Sequence, residues 1–214
     1  MTDYWLADTH LGHNNIIKYC NRPFSSTDEM DECIINNINE TVKDPDKDRV
    51  WHLGDYCFGP RDFKQFYRKA EGYRNRIKCK NIFWIHGNHD PDPDPERDDP
   101  HYRDKLALYD DFRELFTNDY SLKQMRISSH KLIMCHYAFA VWNKSHRDSI
   151  NLYGHSHAGI ETWMESIMPG RKSMDVGIDN IAKIFGSYRP VSFAEIMGIM
   201  NSKPGFKNHH REQI

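Results

Sequence analysis

Thirteen of the 214 residues are histidine, a side chain that is both the commonest metal ligand and a general acid or base near neutral pH. Several sit in short polar clusters: Asp8-Thr9-His10, Gly54-Asp55, Gly87-Asn88-His89-Asp90, a lone His136, and Gly154-His155-Ser156-His157. The small clusters carry little weight alone. With 21 Asp and 13 His in the chain, about 1.3 Asp-x-His triplets arise by chance. A second one, Asp99-Pro100-His101, reads as such an accident. Gly-His-x-His is rarer, at about 0.04 expected, and Gly-Asn-His-Asp rarer still, at about 0.005. Their combination is more specific than any member, because each closes a predicted strand.

Those strands must aim the clusters at one point. Residues 4–7 read as a short buried strand that stops at Asp8, residues 50–53 as a second that stops at Gly54-Asp55, and residues 82–85 as a third that stops at His86-Gly87. Between the first two, Ser26 and Glu29 form a capping-box pattern ahead of Met30, Ile34, Ile38 and Val42, whose spacing predicts a helix with one apolar face. Asp44-Pro45-Asp46 ends it. Helices are expected over 61–70 and 103–116. The proline-rich, acidic segment 91–100 between them reads as an exposed loop. Strands follow over 120–127, 131–135, 150–153 and 174–178, then a last helix behind Ser192, where Glu195 repeats the capping box, and a frayed tail from 202 or 203 to 214. Strand–helix alternation followed by mostly strands gives an α/β (α+β) class of two packed sheets with helices outside. No composition shift divides residues 1–214, so a single domain is expected. Open α/β sheets place ligands at their strand ends.

In that order, the five clusters resemble the motifs of the calcineurin-like metallophosphoesterases. Met174-Asp175-Val176-Gly177-Ile178-Asp179 and Tyr188-Arg189-Pro190-Val191-Ser192 resemble the C-terminal end of small bacterial and phage members. The resemblance implies a four-layer αββα sandwich with two divalent metals at the strand ends. It also implies hydrolysis of a phosphodiester, or a phosphomonoester, in a small molecule or nucleotide by a metal-bridging hydroxide. Carried over by position, Asp8, His10, Asp55 and His157 would hold one metal, and Asp55, Asn88, His136 and His155 the other. Asp55 would bridge them, and His89 would be the catalytic histidine. Two cations roughly 3.5–4 Å apart repel, so a shared carboxylate and hydroxide suit the space between them. Imidazole, carboxylate and amide donors without thiolate favour Mn²⁺, with Fe, Zn or Ni as alternatives. The glycines at 54, 87 and 154 would let the backbone turn tightly at each strand end. Protein serine/threonine phosphatases of this superfamily carry a second Asp and an Arg shortly after the bridging Asp. Phe58 stands in that Asp's place here, which disfavours a protein phosphatase.

The remaining chemistry-bearing residues have plainer readings. His52, His86, His101, His130 and His146 read as packed or surface residues, and His209 and His210 as solvated in the tail. His13 is a candidate to orient a ligand or the substrate. Arg189 would either brace the C-terminal turn or bind phosphate. Cys135 should face the core beside His136, Cys57 should pack in its loop, and Phe83 and Trp84 should be sheet core. The basic run Arg68, Lys69, Arg74, Arg76, Lys78 and Lys80 reads as a solvated face. The 91–100 segment beside His89 would be either a lid or filler.

Composition excludes several classes. The chain is 38% hydrophobic and 13% aromatic, which argues against disorder. No apolar run approaches the roughly 20 residues that span a bilayer, and the N-terminus lacks the pattern of a secretion signal. Five cysteines without a Cys-x-x-Cys pair suit reduced thiols in the cytoplasm. A net charge of -2 gives no global attraction to nucleic acid, so a nuclease acting on DNA or RNA ends is the weaker enzymatic reading. A catalytically weak metal-binding scaffold is the alternative from another class.

Overall fold

The computed structural model describes residues 1–205. Most of the expected tail, with His209 and His210, lies outside the described residues. Two mixed sheets and their helices make up the α/β architecture. The first sheet has the order β4-β3-β2-β1-β9, from β1 (Asp3–Leu6), β2 (Arg49–His52), β3 (Asn81–Ile85), β4 (Asn118–Tyr120) and β9 (Val191–Ser192). Its first four strands run parallel, and β9 runs antiparallel to β1. The second has the order β5-β6-β7-β8, from β5 (Leu122–Ile127), β6 (His130–Cys135), β7 (Ile150–Tyr153) and β8 (Ser173–Asp175). Here β6, β7 and β8 are parallel and β5 is the antiparallel edge.

Strands covered on both faces read as continuous apolar runs, and Ile150–Tyr153 is buried at all four positions. Trp5 of β1 is fully buried, and its Nε1 donates to Met134 Sδ of β6 at 3.0 Å. That contact spans the core between the sheets. Beyond β1, the Ala7 N–H donates to Val176 O, and the Ile178 N–H donates to Ala7 O. The sheets are thereby stitched together one residue before Asp8.

Helices α1 (Asn14–Tyr19), α2 (Thr27–Thr41), α3 (Phe63–Arg76), α4 (Tyr102–Arg113), α5 (Glu161–Ile167), α6 (Ile178–Phe185) and α7 (Phe193–Ser202) complete the chain. The apolar face expected of α2 is buried at Met30, Ile34 and Ile38. Ser192 and Glu195 close a full capping box on α7. At α2 the box is only half made: the Ser26 hydroxyl accepts the Glu29 N–H, while Glu29 reaches back to Ser25 instead. Helix α3 runs past the expected residue 70 because Ala70 and Tyr73 continue its buried stripe.

Two strand expectations are corrected. The single strand over 120–127 is two, because the chain leaves the first sheet after Tyr120 and enters the second at Leu122. The strand over 174–178 ends at Asp175, whose carboxylate takes the Gly177 N–H, and α6 begins at Ile178. Segment 91–100 has no regular structure, as expected. Within the basic run, Arg74 caps backbone carbonyls of Leu115, Ile77 and Lys80, Arg76 pairs with Glu32, and Lys80 pairs with Asp46. Among the described residues, no helix is long and apolar enough to cross a membrane.

Candidate metal centre

The loops that leave β1 and β2 stay hydrogen-bonded to each other beyond the strands. Asp8 N–H donates to Gly54 O at 3.0 Å and His10 N–H to Asp55 O at 3.0 Å. This ladder sets Asp8 and His10 beside Asp55. Asp8, His10, Asp55, His155 and His157 all have positive φ, five of the ten such non-glycine residues described. A left-handed backbone is unfavourable for ordinary side chains and persists where surrounding contacts over-determine it. The strain is thus concentrated on the residues the sequence picked out.

The glycines serve mainly by close approach. Of Gly54, Gly87 and Gly154, only Gly54 has positive φ, which corrects the expectation of a tight turn at each. A Cβ on Gly154 would lie 2.8 Å from Asp8 Oδ2, and one on Gly87 would overlap Asp55 Oδ1. Those carboxylates fit only because the facing residue has no side chain.

Two donor clusters result. In the first, ligand atoms of Asp8, His10 and His157 lie within 4.8 Å of one another. Asp8 is fully buried and both its oxygens face the His155 N–H, at 3.0 and 2.9 Å. Burial, reinforced by the nearby Asp175 charge, pushes its carboxyl up to about 8. Burial drives His10 down to about 2, so its ring is neutral, and both ring nitrogens are buried without a hydrogen-bond partner. His157 Nδ1 lies 2.7 Å from Asp179 Oδ2. Burial opposes charge on this ring, but Asp179, the Cys20 thiol and Asp8 raise it to about 10.

The second cluster joins Asp55, His136 and His155, again within 4.8 Å. Asn88 Oδ1 lies 2.9 Å from His136 Nε2 and 2.7 Å from His155 Nδ1. His136 Nδ1–H donates to Leu53 O at 2.7 Å, which fixes the ring and turns Nε2 inward. Burial opposes its charge, yet Asp55 and Asp8 raise it to about 9. Asp55 responds in kind: burial works against its charge, but His136 and His10 hold it below the usual carboxylate range. Its Oδ1 accepts the His89 N–H at 2.9 Å.

A supporting layer that sequence reasoning did not assign holds both clusters. Asp90 accepts four hydrogen bonds, from the N–H groups of Asp55, Tyr56 and Gly87 and from Trp84 Nε1, all at 2.8–2.9 Å. Trp84 is therefore a positioning residue as well as core. The buried Arg22 forks onto Asp179 at 2.8 and 2.9 Å and also donates to the carbonyls of Thr9 and Asp8. Asp175 receives Ser156 Oγ and the N–H groups of Ala158 and Gly177. Asp90 belongs to the Gly87-Asn88-His89-Asp90 cluster, and Asp175 and Asp179 to the 174–179 stretch; for Arg22 the sequence carries no signal.

His89 is exposed, with its ring 5.4 Å from that of His10. His13 stacks on Phe58 with ring centroids 4.0 Å apart and lies 5.5 Å from His10, so it borders the site. Arg189 pairs with Glu195 and donates to Pro190 O, which is the bracing role. Both Cys57 and Cys135 are buried, and burial pushes both thiols up. His52 and His86 pack against Thr9 and Asp119. From the 91–100 loop, Pro91 and Asp92 wall one cleft beside His89, while Asp92 and Pro93 wall another beside Asn88.

The donor chemistry fits divalent cations: imidazole and oxygen donors converge in the two clusters, a third group of Cys20, His157 and Asp179 shares His157 with the first, and the buried His10 nitrogens are otherwise unpartnered. The profile of the calcineurin-like phosphoesterase family matches residues 4–188. An uncharacterized protein of Methanocaldococcus jannaschii is 31% identical over 199 residues, which cover 92% of this chain and 90% of that one. The crystal structure of a protein of unknown function from Aquifex aeolicus shares the fold, with a TM-score of 0.60 and 18% identity over 92% of this chain and 98% of the other. Divalent metal ions are implied by the family, and the two clusters are candidates to hold them. The chain belongs to the calcineurin-like phosphoesterases, hydrolases of phosphoester bonds.

Proposed function

We propose that the chain is a two-metal phosphodiesterase. Asp55 carries the reading: its Oδ2 lies 3.4 Å from His10 Nε2 and 3.5 Å from His136 Nε2, so one carboxylate meets a donor from each cluster. Asp8, His10, Asp55 and His157 would hold one cation, and Asp55, Asn88, His136 and His155 the other. The donor set suits Mn²⁺ first, then Fe, Zn or Ni. When bound, the pair would supply Lewis acidity, acidifying a water and neutralising phosphoryl charge. A reduced, cytoplasmic setting suits the five free cysteines.

The chain's own groups do the rest. The neutral His10 ring presents a lone pair without a proton to shed. The Leu53 carbonyl keeps His136 Nε2 directed inward. His89 stands at the open edge with its backbone tied to Asp55, placed to hand a proton to the departing oxygen. Where relatives use a carboxylate to orient this histidine, Phe58 sets its ring edge-on at 6.3 Å, which supports a diesterase over a protein phosphatase.

Purified protein with Mn²⁺ should hydrolyse bis-4-nitrophenyl phosphate faster than 4-nitrophenyl phosphate. Chelation should abolish turnover, and Asp55→Asn should lower kcat/KM by about a thousandfold or more. Faster monoester cleavage would make the enzyme a phosphomonoesterase. Metal-dependent melting without hydrolysis under Mn²⁺, Fe²⁺, Zn²⁺ or Ni²⁺ would favour the scaffold instead.

A further inference from the structure

Among the described residues, the exposed large aromatic side chains are Tyr19, Phe58, Tyr137 and Trp163. Three of these four abut histidines of the site. Tyr19 meets His13 edge-on, Phe58 stacks on His13 while remaining 40% exposed, and Tyr137 lies 4.9 Å from His155 and 5.1 Å from His136 while remaining 46% exposed.

Tyr137 also walls a cleft of about 340 Å³ that begins at Asn88, within the roughly 300–1,000 Å³ range of small-molecule sites. Pro93, from the 91–100 loop, lines it too, and Ser121 and His86 add polar edges, with Ser121 Oγ 3.3 Å from His86 Nδ1. The flat Tyr137 ring and the apolar Pro93 ring, with a hydroxyl and an imidazole edge beside them, match a flat heterocycle that carries hydrogen-bonding groups on its rim. A hydroxyl both donates and accepts, so it suits any base. Stacking is likewise tolerant of base identity, because every base has a π-face.

We propose that this cleft is a nucleobase subsite, and that the diester cleaved here carries a nucleoside. The proposal rests on the phosphodiesterase reading above for its phosphate position, and on Tyr137, Pro93, Ser121 and His86 for the base.

Two esters with the same leaving group test it: thymidine 5′-(4-nitrophenyl phosphate) and methyl 4-nitrophenyl phosphate, with Mn²⁺. The nucleoside ester should have the higher kcat/KM by about tenfold or more, mostly through KM. Tyr137→Ala should raise KM for the nucleoside ester about tenfold more than for the methyl ester, and Tyr137→Phe should keep the preference. Equal kcat/KM on the two esters, or an equal loss on both in Tyr137→Ala, would overturn the subsite while leaving the phosphodiesterase standing. Calorimetry supplies a readout apart from turnover: thymidine 5′-monophosphate should bind about tenfold tighter than inorganic phosphate, and only with an aromatic residue at 137. If neither ester is cleaved and that binding difference persists, the phosphodiesterase reading fails and the subsite stands. Equal binding of the two ligands overturns the subsite whatever the turnover.

Discussion

The two donor clusters are built from the same residue types and held in different ways. Asp8 and His10 are buried, and the Asp179 that meets His157 is locked by the two-pronged Arg22 contact. In the other cluster only Asp55 and His136 are buried; Asn88 and His155 are exposed and lie against each other. Breaking a buried ion pair by removing one partner costs about 3–5 kcal/mol, and each cluster has one, Arg22–Asp179 behind the first and Asp55–His136 within the second; the two differ in how far their remaining donors are exposed. In the two-metal reading the contrast would separate two tasks: a closed, pre-set site on one side of Asp55, and an open one facing substrate on the other. Under the proposed function, the first cation would bind tightly and the second would exchange.

The largest effect tests the open side. His89→Asn should lower kcat about 10²–10⁴-fold with both metal affinities little changed, read by steady-state kinetics beside calorimetry. A parallel loss of metal would move His89 into the holding machinery and blur the contrast.

Next in size is pH. A ligand group that carries an extra proton in the metal-free protein must release it to bind. In the first cluster that applies to Asp8, at about 8, and His157, at about 10; in the second it applies to His136, at about 9. Affinity should therefore rise with pH in both, by about a hundredfold per unit near pH 6–7 for the first cation and about tenfold for the second. Equal slopes in manganese titrations would contradict the assignment of protons.

Asp179→Asn probes the bracing directly. Losing a hydrogen-bond partner behind a ligating histidine typically costs 10–100-fold in metal affinity, and that loss should fall on the first cation. An equal loss at both would show that the clusters are not independently supported. The smallest effect is a control: Ser192→Ala removes the α7 cap, far from either cluster in its contacts, and should cost about 1 kcal/mol in denaturant melts with kcat unchanged.

The same contrast marks what was legible in the sequence. The strand ends could be read because apolar runs stop at glycine-bearing polar clusters, and the cluster order pointed to the family. The candidate ligands on both sides of Asp55 came with it, and the structure gathers them into the two clusters. Bracing could not be read the same way. Arg22 follows the six-residue α1, too short for periodicity to register, and its guanidinium matters only once Asp179, Thr9 and Asp8 surround it. The break at Ser121 was hidden because both sides of it carry strand-forming residues, and only pairing assigns them to different sheets. Helix α6 was missed because the run Met174-Asp175-Val176-Gly177-Ile178 looks extended, while the turn depends on Asp175 taking the Gly177 N–H.

Anomalous diffraction from crystals grown with Mn²⁺ tests the central claim most directly. Two peaks about 3.5–4 Å apart, both within bonding reach of Asp55, with Asp8, His10 and His157 around one and Asn88, His136 and His155 around the other, are the predicted result. A single peak, or two that do not share Asp55, would contradict the paired-cation account.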